Sequence, residues 1–143
     1  MNDDYLYGLN NICVFTSLFF ITNIIISYYY KNYIYVFLFS CLLISSIIFH
    51  YTQNKTMRVI DQMFVFFVVI YGGYLVFNKS ICNCNNMEYF CIFTVIIVFL
   101  ACLSLYLSGI SNMAIEIFGI NGHYYHALIH LFASLGHNLI VTL

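Results

Sequence analysis

Residues 123–137, "HYYHALIHLFASLGH", hold four of the chain's five histidines inside a segment that otherwise has the make-up of a membrane helix. Hydrocarbon is a poor solvent for imidazole, so the reading of this stretch decides what kind of fold encloses it. The surrounding chain is unsuited to water. Of 143 residues, 64% are apolar and 6% charged, where a soluble domain carries about a quarter charged residues. Mean hydropathy is +0.95, and the expectation is an integral, multi-pass protein of an endomembrane or the plasma membrane. A net charge of -1 with four Lys and Arg in all offers no basic surface to neutralise phosphates, which excludes nucleic acid as a partner. The bilayer itself is the expected partner, and a homo-oligomer is compatible with the composition.

A helix needs about 20 mostly apolar residues to cross a hydrocarbon core of about 30 Å. Five segments qualify: 11–30, 33–50, 58–77, 88–110 and 122–143. They are joined by Lys31-Asn32, by 51–57 "YTQNKTM", by 78–87 "NKSICNCNNM" and by 111–121 "SNMAIEIFGIN", the last read as a short interfacial helix. Connections this short make neighbouring spans antiparallel. The expected fold is all-α, a single transmembrane helical bundle over 1–143 with about five spans. Asp3 and Asp4 stand where a signal peptide would be basic, and no small-residue cleavage site follows the first apolar run, so that segment reads as a retained anchor. Lys55 and Arg58 fall on one side and Lys31 and Lys79 on the other, which leaves orientation open. Asn54-Lys55-Thr56 and Asn78-Lys79-Ser80 both match the N-glycosylation pattern, but they fall on opposite sides and very near the bilayer. Cys13, Cys41, Cys91 and Cys102 lie in spans, where cysteine acts as a small apolar residue. Cys82-x-Cys84 lacks the second pair that a structural zinc site needs.

Ionisable groups inside spans cost about 2.5 to 3.5 kcal/mol for Asp at a helix centre, so each one asks for a partner and a role. They are His50 with Ser46 at the end of the second span, Asp61 at the start of the third, and His126, His130 and His137 in the fifth, with Glu88 and Glu116 expected at interfaces. His126 and His130 are four apart and share one helix face, a spacing that lets two imidazoles reach one metal ion. Ser46 and His50 repeat that spacing. With five alternating spans, Ser46, His50, Asp61, His126 and His130 all fall in one leaflet. His123 and His137 read instead as hydrogen-bonding residues between helices, worth on average about 0.6 kcal/mol each.

Taken together, "SIIFH" closing one helix, Asp61 early in the next and "HALIH" in the last resemble the CREST superfamily of membrane hydrolases and receptors. That group includes alkaline ceramidases, hemolysin III proteins and the progestin and adiponectin receptors. Its pattern is Ser-x3-His, an Asp at the following helix and His-x3-His in the final span. The eleven-residue step from His50 to Asp61 is closer to the ceramidase branch. The resemblance implies zinc held by His50, His126 and His130, with Asp61 and Ser46 holding a water at the metal. It also implies a bundle shortened from the family's seven helices.

Three neutral imidazoles leave the fourth zinc position open to a water. Ala127 occupies the place where zincin proteases carry their glutamate base, so Asp61 is the expected proton carrier, and Ser46 the residue that orients the water or a ring. The expected function is an intramembrane zinc-dependent lipid amidase acting on a ceramide-type sphingolipid, the substrate coming from the resemblance alone. A noncatalytic, receptor-like or accessory membrane protein with a structural metal is the alternative. A haem held between His50 and a histidine of the last span is a third reading.

Overall fold

Among the described residues, the non-glycine positions with positive φ are Lys31 (58°) and Gln53 (52°), and each lies where the chain turns from one helix into the next. The structure, a computed structural model, describes residues 12–81, 85–110 and 122–143, with side chains over 12–81, 85–107 and 124–143. Helix α1 runs Ile12–Tyr29, α2 Tyr33–Thr52, α3 Lys55–Ile81, α4 Asn86–Ile110 and α5 Gly122–Thr142. The described residues are helical throughout apart from short turns, and the architecture is an all-α bundle.

Helices α1 to α4 are long and apolar enough to cross a membrane. Helix α5 is long enough at 21 residues, but its imidazoles and Asn138 lower its hydropathy, so four of the five expected spans meet both criteria. Two expected connections shrink, because side chains cap the helix ends and let them extend. The Asn32 carboxamide accepts from the Tyr35 N–H (3.3 Å) at the start of α2, and Asn54 accepts from the Thr56 N–H (2.8 Å) at the start of α3. At α4, Asn85 and Glu88 form a reciprocal capping box: the Asn85 N–H donates to Glu88 and the Glu88 N–H to Asn85, both at 2.9 Å. Glu88 also pairs with Lys79 (2.7 Å), closing the turn between α3 and α4. Asp3, Asp4, Cys82, Cys84, Glu116, the expected interfacial helix and the side chain of His123 lie outside the described residues.

Consecutive helices α1–α2 and α2–α3 pack as hairpins, and α5 inserts against α1, α3 and, most extensively, α4. The apolar centre is Phe20, Tyr35, Phe39, Leu42, Val68, Val95 and Ile140. Large side chains such as Phe15, Phe66, Phe90 and Phe93 point outward, as lipid-facing residues of a bundle do.

Several polar side chains join neighbouring helices. Between α1 and α5, Asn23 donates to the Ser134 carbonyl and to Asn138 (both 2.9 Å), Ser134 donates to Asn23 (2.7 Å), and Asn138 donates to Thr22 (3.0 Å). Farther along α5, His137 bonds the Tyr35 hydroxyl at 2.8 Å, as expected for a histidine joining helices. Tyr71 packs edge-on against Tyr35 and donates to Asn32 (3.0 Å). Gly72 of α3 makes this approach feasible: a Cβ there would meet the Tyr35 hydroxyl at 2.6 Å and the His137 ring at 2.9 Å, whereas Gly73 faces open space.

Adjacent glycines therefore respond with opposite sign. Gly72→Ala forces Tyr35 and His137 apart and lowers stability by about 1 to 3 kcal/mol, the usual cost of overpacking. Gly73→Ala is neutral or stabilising by up to about 1 kcal/mol through helix propensity. Thermal unfolding of the two variants in one detergent checks both signs, and equal midpoints contradict the packing described.

Candidate metal centre

Helix α5 presents His126, His130, Ser134 and Asn138 at successive intervals of four, a single row along one face. The first two residues of that row meet His50, which lies in the last turn of α2. Gln53, in the left-handed conformation, ends α2, and its side chain donates to the His50 carbonyl (2.9 Å).

Ring centroids are 4.8 Å apart for His50 and His126, 5.3 Å for His50 and His130, and 4.6 Å for His126 and His130. His50 and His130 are 4% and 5% exposed, and His126 is half-buried. One nitrogen from each ring lies within 4.8 Å of the other two. Tetrahedral zinc with Zn–N near 2.0 to 2.1 Å requires nitrogens about 3.4 Å apart, so holding zinc draws the three rings somewhat closer than the 4.8 Å limit. The donor set fits a metal that takes imidazole, and three protein ligands leave a tetrahedral ion one further position. The structure thus brings together His50, His126 and His130, residues far apart in sequence.

Asp61 and Ser46 are placed differently. Asp61 is buried on α3 and accepts from the Ser45 hydroxyl (3.0 Å); the cluster that meets the metal-binding distance comprises the imidazoles and not this carboxylate. Ser46, also buried, shares a hydrogen bond with Ser17 of α1 (2.9 Å). Both lie on or against the closing turns of α2, and both tie α2 to a neighbouring helix.

Three residues of this region were not anticipated: Thr16, Ser17 and Ser45. Thr16 lies 3.1 Å from His130 Nδ1. The signal for the α1 pair was present, because "CVFTSLFF" places two hydroxyls early in the first span, in the same leaflet as His50 and His126 by the alternation that grouped the other residues. Ser45 adjoins Ser46, and only the rotation of α2 decides which of the two faces α3.

Metal retention tests the assignment of the histidines. If the three imidazoles hold a metal, His130→Ala is expected to release most of it, whereas His137→Ala is expected to retain it, since His137 lies about 10 Å farther along α5 at 1.5 Å rise per residue. Elemental analysis of detergent-purified protein measures both, and equal loss from the two variants would reject this ligand set.

Compared with protein-family models, with curated proteins and with solved structures, the chain has no match in any of the three.

Proposed function

We propose that the chain is an intramembrane zinc-dependent hydrolase that cleaves the amide bond of a ceramide-type lipid in an endomembrane or the plasma membrane. The observation that carries this reading is the convergence of three buried or half-buried imidazoles from α2 and α5. A bound zinc supplies Lewis acidity and a water acidified to near neutral pH. The choice of amide and of sphingolipid rests on the CREST resemblance.

The chain's own residues have the following parts. His50, His126 and His130 hold the ion. Asp61, oriented by the Ser45 hydroxyl, accepts the proton of the attacking water and delivers it to the leaving amine. A shallow, open groove of about 480 Å³ between α1 and α5 is lined by Thr16, Phe19, Tyr124, Ala127, Leu128 and Leu131, and its apolar walls suit an acyl chain.

A second reading, a noncatalytic membrane protein with a structural metal, is favoured by one observation: Ser46 and Asp61 both bond to serines in contacts that join helices. Asp61→Asn separates the two readings, since Asn keeps size and hydrogen bonding and loses basicity. On the hydrolase reading the variant retains zinc at wild-type stoichiometry and releases no fatty acid from labelled ceramide in mixed micelles, while the wild type does. A wild type that binds zinc and hydrolyses neither ceramides nor other N-acyl lipids establishes the structural reading instead. Loss of zinc from Asp61→Asn makes Asp61 a ligand or a structural group and removes it as the base.

A further inference from the structure

We propose that Thr16 is a positioning residue for the metal centre, acting through His130 by holding its ring in the tautomer that carries the proton on Nδ1 and leaves Nε2 as the ligand atom. The inference rests on the metal-binding reading above and adds to it a residue of α1, a helix that contributes no ligand.

A neutral imidazole has one nitrogen that donates and one that accepts, and which is which follows from the hydrogen bond that the ring makes. His130 Nδ1 lies 3.1 Å from the Thr16 hydroxyl oxygen. That hydroxyl has a single proton, and its own partner is the Cys13 carbonyl one turn back, at 3.2 Å. The Cys13 oxygen, which can only accept, takes Ser17 at 2.8 Å beside Thr16 and is also a backbone hydrogen-bond partner of the His130 ring, so the ring edge turned to Thr16 and Cys13 meets acceptors. With its proton directed to Cys13, the Thr16 oxygen is left as an acceptor, and the proton between Thr16 and His130 belongs to the ring. Nε2 then has its lone pair free to face the ring cluster. The opposite tautomer would direct an N–H into the cluster and block coordination.

The local backbone holds the hydroxyl in place. Hydroxyls that bond back to carbonyls within their own helix tighten or bend it, and α1 tightens here: the N–H groups of Leu18 and Phe19 reach the Phe15 and Thr16 carbonyls, three residues back, at 3.2 and 3.1 Å. Ser17 anchors the same turn to α2 through Ser46. Phe20, the next residue inward, packs its ring 5.3 Å from that of His130, so the imidazole is held by a hydrogen bond at one edge and by an aromatic contact on its side. Partners of this kind behind a metal-bound histidine typically contribute 10- to 100-fold in affinity.

The test uses the full-length protein in detergent, Thr16→Val, which preserves shape and removes the hydroxyl, and Thr16→Ser, which restores it. Zinc affinity is measured by competition with a chelator of known strength. The expected result is a weakening of about 10-fold or more in Thr16→Val and a return to within a few-fold of wild type in Thr16→Ser. Wild-type affinity in Thr16→Val overturns the proposal, as does Thr16→Ser weakened as much as Thr16→Val, which would make the role steric. Imidazole ¹⁵N shifts of His130 in metal-free protein provide a readout independent of zinc: a dominant Nδ1–H tautomer in wild type that becomes mixed in Thr16→Val supports the proposal, and an Nε2–H tautomer in wild type overturns it. If the wild type binds no zinc, the metal reading fails, and the ¹⁵N result still decides the role of Thr16.

Discussion

A polar side chain in hydrocarbon that does not bond back to its own helix, as Ser17 does, needs a partner on another, and the row His126, His130, Ser134 and Asn138 concentrates that constraint on one face of α5. Backbone groups are already satisfied within each helix, so the few polar side chains decide which helices touch and in what register. Asn23 and Thr22 meet the lower half of the row, Thr16 and His50 the upper half. Each such bond contributes modestly, but together they allow one rotation of α5 and one depth relative to α1. The apolar centre around Phe20, Phe39 and Val68 then fills the space that this register leaves.

The same row divides by chemistry. Its lower members carry amides and a hydroxyl, groups that donate and accept at once and so satisfy each other fully. Its upper members carry imidazoles, and with His50 they bring three ring nitrogens from two helices within 4.8 Å of one another. A cation that accepts three lone pairs suits that geometry, which is why the cluster is read as a metal centre and the Asn23–Ser134 contact as packing. Tyr35 and His137 show the contrast: there a single phenol satisfies a single ring, and Gly72 provides the room.

Much of this is legible in the sequence. Composition alone indicates the membrane, spacing four places His126 and His130 on one face, and alternation of spans assigns His50 to their leaflet. Helix ends are less legible, because the capping residues Asn54 and Asn85 sit in segments whose polarity reads as loop. The partners of Asp61 and Ser46 were not legible either. They depend on the rotation of α2 about its axis, and a helix exposed to lipid on much of its surface carries too weak an apolar asymmetry to fix that angle. Tightening of α1 at Leu18 and Phe19 has a sequence cause in the adjacent hydroxyls of Thr16 and Ser17, recognisable once their back-bonding to Cys13 is seen.

Thr16 and His130 are 114 residues apart along the chain, and that separation bears on when the centre comes into being. The hairpins α1–α2 and α2–α3 join neighbours in sequence and can pair as soon as each is inserted. His50 then waits at the end of α2 with no second imidazole beside it until α5 docks. On the proposed reading, ion capture is the last event of assembly, and a filled site certifies that every earlier helix has reached its place. Nascent chains stalled before that step would leave the faces of Thr16 and His50 that meet α5 turned to lipid.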